Sequence, residues 1–326
     1  MSKPKVLITR NVPQRGIDLV REHCDVDLWA DDMPIPRDVL LSKVKDIEGL
    51  YCLLTERVND ELLDAAPKLR VVSNMAVGFD NIDVPACTRR GIPVGNTPGV
   101  LTDTTADLAF ALIMAAGRRL GEAERYVHAG KWKTWGPLLF LGQDIHGATL
   151  GIVGIGRIGA AVARRALGFG MRILYYDAIS TPPPDIADRV QSVGFDELLA
   201  ESDFVSIHVP LTPETRRMFS TEQFKRMKKT AVLVNRARGP VVDPKALYEA
   251  LRDGEIGYAA LDVTDPEPIP MDDPLLTLDN CIILPHIASA SVETRDKMAT
   301  IAAENLLAGL RGAPLPHTVN PEVRQK

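Results

Sequence analysis

The sequence predicts an α/β protein built from two doubly wound parallel-sheet domains, and three observations predict it. Short β-rich runs alternate with helix-like segments along the chain, the later runs are almost continuously apolar, and 326 residues exceed one comfortable core. Runs without polar alternation belong to strands covered on both faces.

The first series comprises KVLIT (5–9), DVDLW (25–29), GLYCLL (49–54) and LRVVSNM (69–75), separated by helix-like segments such as PQRGIDLVREH and NDELLDAA. It reads as βαβ units. The Gly/Pro-rich stretch RRGIPVGNTPGV then interrupts the pattern, and Thr102 or Asp103 is placed to cap a long apolar helix through DTTADLAFALIMAAGRR. From Thr149 a stronger series begins: TLGIVG, RILYYD, FVSIHVP, AVLVN, YAALDV and CIILP. With that sheet complete, the helical pattern SVETRDKMATIAAENLLAGLRG is expected to return to the first domain. The domains are therefore expected over 1–100 with 290–326, a discontinuous unit, and over 101–289.

The formal net charge is −5 with both signs interspersed, which argues against a nucleic-acid partner. The longest apolar stretch, Leu108 to Gly117, falls short of the roughly 20 residues that cross a bilayer, so no membrane span is expected. The opening MSKPKVLITR lacks the apolar core and cleavage site of a signal peptide, and a cytoplasmic location is expected. Cys24, Cys52, Cys87 and Cys281 form no C-x-x-C pair. Neither a metal site nor a disulfide framework is expected, only reduced and mostly buried thiols.

The second series opens with GIVGIGRIGAAVARRALGFG, in which Gly154, Gly156 and Gly159 form G-x-G-x-x-G between a strand and a helix. The first glycine permits a tight turn, the second admits a diphosphate to the backbone, and the third lets helix and strand pack closely. The next strand ends at Asp177, which follows at the roughly 20-residue interval of the carboxylate that holds an adenine-ribose hydroxyl. The combination predicts a Rossmann domain. A carboxylate at 177 repels a 2′-phosphate and the next basic residue is Arg189, so NADH is favoured over NADPH.

Ligands of an open parallel sheet lie beyond the carboxyl ends of its strands. Arg236 and Arg238 follow AVLVN, Glu267 follows YAALDV, and His286 follows CIILP. An arginine fork can grip a carboxylate and a carbonyl oxygen, a histidine can supply a proton, and a carboxylate beside it holds the ring and favours its charged form. Taken singly, each has a plain alternative: Arg238 in a surface ion pair, Glu267 solvated in a proline-stiffened loop, His286 satisfied by backbone. Together beside a nucleotide site they favour chemistry. His208, in SIHVP, is the competing acid, although its place in the cofactor half suits lining the adenosine.

These residues carry a resemblance. MAVGFD (75–80), GIVGIGRIG, HVPLTPET, NRARGPVVD, LDVTDPEPIP and LPHIASA are similar to the successive motifs of the D-2-hydroxyacid dehydrogenases, over nearly the whole chain. LTDTTADLA, KWKTWGPL, LDVTDPEPIP and NLLAGLRG resemble most the glyoxylate/hydroxypyruvate reductase branch. The resemblance implies NAD-linked reduction of a small 2-oxo acid, glyoxylate or hydroxypyruvate, with Arg238 binding and polarising the substrate, His286 as acid/base and Glu267 as its partner. It implies that amides of Val77 and Gly78 receive the substrate carboxylate, that Leu54 and a partner-subunit Trp135 enclose its far end, and that Asp262 holds the nicotinamide carboxamide. Cofactor contacts implied besides the glycines and Asp177 are Thr105, Arg157, Ile158, His208, Val209, Pro210, Thr215, Ala237 and Ser289. A flavodoxin-like substrate domain, a closing cleft and a homodimer through the long helix near 103–117 complete the implication. NADPH-using relatives carry small and basic residues where YYDAIS stands here. Phosphoglycerate dehydrogenase and a non-catalytic NADH-sensing corepressor remain alternatives; formate dehydrogenases pair the histidine with an amide, against Glu267.

Overall fold

Short β-branched and aliphatic runs form the strands of the first sheet. In the computed structural model, which describes residues 3–325, the chain forms β1 (Lys5–Ile8), α1 (Gln14–His23), β2 (Asp25–Leu28), α2 (Arg37–Lys43), β3 (Gly49–Cys52), α3 (Asp60–Ala65), β4 (Val71–Asn74), α4 (Val84–Arg89) and β5 (Val94–Gly95). Asn59 and Asp83 start α3 and α4 by accepting from the amides of Leu62 and Ala86, the usual work of a short polar cap. The strands are all parallel in the order β2-β1-β3-β4-β5, the flavodoxin-like order.

The chain continues through α5 (Thr102–Gly117), α6 (Leu120–His128), β6 (Thr149–Val153), α7 (Arg157–Gly168), β7 (Arg172–Tyr176), β8 (Gln191–Ser192), α8 (Phe195–Glu201), β9 (Phe204–Ile207), α9 (Thr221–Arg226), β10 (Val232–Asn235), α10 (Pro244–Arg252), β11 (Tyr258–Leu261) and β12 (Cys281–Ile283). The second sheet is parallel throughout, in the order β12-β11-β10-β9-β6-β7-β8, so the strand order reverses between β6 and β9. One face buries Ile152, Phe204 and Val234 with Ile113 of α5 and Val162 of α7; the other buries Val205 and Leu233 with Phe224 and Leu247. Burial on both faces is why these strands read as unbroken apolar runs.

The last helix, α11 (Val292–Leu310), starts at Ser291, whose hydroxyl accepts from the Thr294 amide. It lies on the first sheet: Tyr51 Oη and Ser73 Oγ donate to the carbonyls of Ala299 and Ala302 at 3.2 and 2.7 Å. At Gly16 a side chain would meet Ala299 Cβ at 2.8 Å, so glycine lets α1 approach α11. The chain divides into two compact units, one ending at Leu101 and resuming at Ser289, the other spanning Thr102–Ala288.

Two edge strands carried no readable signal. β5 lies inside the Gly/Pro-rich stretch behind Pro93, and β8 is an exposed Gln-Ser pair with no apolar character. All four cysteines are free and buried. Among the described residues no helix is long and apolar enough to cross a membrane, and no His/Cys/Asp/Glu cluster could hold a metal ion.

Candidate active site

The β6–α7 turn gives each fingerprint glycine a different physical reason. Gly154 has φ +98°, and a Cβ there would meet the His208 carbonyl carbon at 2.9 Å. Gly156 opens onto free space, so nothing of the protein keeps a ligand from its backbone. Gly159 brings α7 so close to the strand end that a Cβ would lie 2.0 Å from Gly154 O. No side chain caps α7, which leaves the amides of Arg157 and Ile158 at a bare helix N-terminus suited to phosphate. These features fit a dinucleotide, with the orphaned Thr105 Oγ1 in the first turns of α5 as one further polar group to offer it.

Asp177, just after β7, is held by three backbone amides. Its Oδ2 accepts from Ile155 at 2.8 Å, and its Oδ1 accepts from Ile179 and Ser180 at 2.8 and 2.7 Å. The carboxylate is thus fixed to the glycine turn before any ligand arrives. Thr215 spends its hydroxyl inside the neighbouring turn, donating to Pro210 O at 2.6 Å and accepting from the Thr212 amide, which sets the path of Val209 and Pro210.

Beyond β10, β11 and β12 stand Arg238, Glu267 and His286. His286 Nδ1 and Glu267 Oε1 are 2.6 Å apart, a charge-assisted hydrogen bond. Burial pushes the Glu267 carboxyl up, but the bond to His286, its charge, the Thr264 amide and the charge of Arg238 outweigh burial and hold it below the usual carboxylate range. His286 itself sits at φ +55°, a conformation that costs a β-carbon-bearing residue roughly 1–2 kcal/mol. Asp262 supports that backbone. It is fully buried after β11, and its oxygens accept from the amides of Ile287 and Ala288 at 2.7 and 2.9 Å. Burial raises its carboxyl above the usual range against those two bonds and the His286 charge. The Arg238 segment is built the same way: Asn235 accepts from the Ala237 amide and donates to Arg238 O, while Arg238 Nη1 donates to Ala237 O. At Gly239 a Cβ would fall 1.8 Å from Thr264 O, so only glycine lets this segment pack on the loop that carries Glu267.

His208 is different. Arg236 donates to its Nδ1 from Nε at 3.2 Å and Nη2 at 2.6 Å. Burial first, and the Arg236 charge second, push its pKa well below the usual imidazole value. A ring held neutral near pH 7 has no transferable second proton.

In the other unit, Leu54 rides a turn held from beneath by the buried Glu56, which accepts from the Leu53 amide at 2.7 Å and from Thr9 Oγ1 and Thr55 Oγ1 at 2.6 Å each. The carbonyls of Ala76, Val77 and Gly78 are each taken, by the Thr97 amide, Asn96 Nδ2 and Asn74 Nδ2. Because a trans peptide points its N–H opposite its C=O, the amides of Val77 and Gly78 face away from those bonds. Among the described residues neither has an acceptor.

Residues 110–288 match the family model described as "D-isomer specific 2-hydroxyacid dehydrogenase, NAD binding domain". The chain belongs to the D-2-hydroxyacid dehydrogenases. It is 58% identical to a glyoxylate reductase of Korarchaeum cryptofilum over 322 residues, 98% of this chain and 97% of that protein. The TT0316 protein of Thermus thermophilus superposes with a TM-score of 0.91 at 46% identity, over 97% of this chain and 99% of that one. An NADPH-dependent glyoxylate/hydroxypyruvate reductase of Sinorhizobium meliloti does so with a TM-score of 0.83 at 31% identity, over 97% and 98%.

Within this dehydrogenase the fold unites Glu267 with His286 and separates the two arginines of NRARG: Arg238 is partly exposed, whereas Arg236 is buried against His208. Trp135 is 78% exposed on the segment after α6. Ser289 turns its carbonyl to the Ser291 amide and Arg295 Nε at the entry to α11. The asparagines at 74, 96 and 235, the support from Asp262 and the need for Gly239 were not read from the sequence. Only Gly239 left a trace there, as the glycine directly after RAR.

Proposed function

We propose that this dehydrogenase reduces glyoxylate to glycolate, or hydroxypyruvate to its D-2-hydroxy acid, with NADH. The observation that carries the reading is the His286–Glu267 pair beyond strand ends of the nucleotide-binding sheet, with the rival His208 held neutral; similarity to glyoxylate reductases supports the substrate class. Arg238 binds the 2-oxo acid and stabilises the charge that develops on its carbonyl oxygen, a task suited to a planar fork. The amides of Val77 and Gly78 receive the carboxylate, and Leu54 together with Trp135 of the partner subunit bounds the far end of a two- or three-carbon substrate. The dinucleotide, when bound, supplies the hydride. His286 gives its Nε2 proton to the carbonyl oxygen, while Glu267 keeps the Nδ1 proton in place and stabilises the charged ring before transfer. After transfer the imidazole is neutral and the product hydroxyl carries the proton.

Asp177 supports the choice of NADH, since three amides fix its carboxylate where it repels a 2′-phosphate. The contacts assigned to Thr105, Gly154, Gly156, Arg157, Ile158, Gly159, His208, Val209, Pro210, Thr215, Ala237, Asp262 and Ser289 belong to this reading. So does a homodimer: Trp132, Trp135, Leu138 and Leu141 are all more than half exposed, an apolar stretch that a second copy would cover. Buried, reduced thiols suit a cytoplasmic enzyme. The test is a panel of 2-oxo acids followed by oxidation of NADH and NADPH. Glyoxylate and hydroxypyruvate with NADH are expected to give the highest kcat/KM, and Asp177→Ser to narrow the gap to NADPH. Equal use of both cofactors by the wild type, or best turnover with branched or aromatic oxo acids, overturns the corresponding assignment.

A further inference from the structure

Arg236 and His208 leave two paired strands, β10 and β9, at their carboxyl ends. Arg236 is only 7% exposed, and its Nε and Nη2 both turn to His208 Nδ1. No carboxylate pairs with it among the described residues. Burial and the like charge of Arg238 push its pKa down to about 9 against the pull of Asp262, yet a guanidinium remains protonated near neutrality. The fold therefore encloses a positive charge whose hydrogen-bond partner is a neutral imidazole, an arrangement that costs stability unless an anion arrives.

His208 adds a second, independent sign. Because its Nδ1 accepts from Arg236, the neutral ring carries its proton on Nε2. That Nε2 is buried and has no partner. The backbone of the same residue lies against Gly154, the first residue of the fingerprint turn, where a Cβ would meet its carbonyl carbon at 2.9 Å and its carbonyl oxygen at 3.0 Å. A cation and an orphaned donor thus stand beside the turn at which a Rossmann sheet receives diphosphate.

We propose that Arg236 is a cofactor-binding residue, its guanidinium held by His208 to meet a phosphate oxygen of the bound dinucleotide. This deepens the nicotinamide-dependent reading and rests on it. Arg236 tightens the dinucleotide without touching the substrate, and of the two arginines only Arg238 serves the 2-oxo acid.

Calorimetric titration of the full-length protein with NADH, ADP-ribose and adenosine tests it. Arg236→Met is expected to weaken NADH and ADP-ribose alike by about 10- to 100-fold, the worth of one charged hydrogen bond, and to leave adenosine, which has no phosphate, unchanged. The free variant should melt within about 3 °C of the wild type, because the lost bond to His208 is offset by removal of a buried charge. Arg236→Lys, which retains the charge, should recover part of the affinity and restore a steeper weakening with added salt than Arg236→Met shows. Unchanged NADH binding in Arg236→Met, an equal loss for adenosine, or a variant that melts far lower or does not fold makes Arg236 a structural support and overturns the proposal. A wild type that binds none of the three ligands removes the dinucleotide reading itself, a result distinct from a loss confined to the variants.

Discussion

His208 and His286 follow β9 and β12 of the same sheet, and both stand at carboxyl ends of parallel strands where chemistry is expected. Their surroundings are opposite. His208 accepts from a buried arginine and is held neutral, whereas His286 is bonded to a carboxylate held below its usual range. The backbone differs as well: His286 adopts a left-handed conformation that Asp262 supports through the next two amides, a device that His208 lacks. Strand-end placement selects candidates; the partner on Nδ1, a buried arginine or a carboxylate, tells them apart.

The strongest test of that contrast is removal of each ring. His286→Ala should lower reductive kcat/KM by about 10²- to 10⁴-fold, the usual worth of a positioned acid, while His208→Ala should chiefly raise the KM for NADH. The reverse pattern in steady-state kinetics would transfer the acid role to His208. Next in size is Asp262→Asn, which sets an NH₂ group against one of two backbone donors. A fall of about 10-fold or more in kcat with little change in the KM for the 2-oxo acid is expected; a change in KM alone would mean that the turn carrying His286 tolerates its loss.

Glu267→Gln keeps the shape and removes the charge. In the proposed reaction the carboxylate keeps the Nδ1 proton in place, so the variant is expected to lower reductive kcat, with a loss smaller than that of His286→Ala. An unchanged rate in single-turnover reduction would separate the carboxylate from the acid function. The smallest effect concerns stability. The lowered carboxyl of Glu267 contributes above its unfolded pKa and the contribution is lost as pH falls through the folded one. With 42% of its side chain exposed, the pair is worth no more than about 1 kcal/mol. The melting temperature of Glu267→Gln should therefore converge on that of the wild type in acid, and parallel curves across that range would show that the pair contributes nothing to stability.

The contrast also marks what the sequence could convey. Covered parallel strands, the glycine fingerprint and Asp177 were legible because period, spacing and residue type all follow from local geometry. Arg238, Glu267 and His286 were legible as strand-end residues. That Arg236 belongs to His208 was not, because the two are 28 residues apart and meet only through the register of β9 with β10. The resemblance marks Asp262 as a ligand contact, and its bonds to Ile287 and Ala288 are invisible there because backbone amides leave no mark in a sequence. The same holds for Asn74 and Asn96, whose short amides serve carbonyls rather than any chemistry of their own.

The bonds from the Thr97 amide to Ala76 O and from Asn96 to Val77 O give the Val77–Gly78 loop an unusual kind of durability. Its offered groups are main-chain N–H donors, aimed by bonds on the opposite side of each peptide plane, so they do not depend on which side chains stand at 77 and 78. Substitution at either position can alter shape while the donors persist, whereas loss of Asn96 frees the peptide to rotate. If these amides receive the substrate carboxylate as proposed, an evolving enzyme can exchange one 2-oxo acid for another through neighbouring side chains such as Leu54 while the donors to the carboxylate that all of them share stay in place.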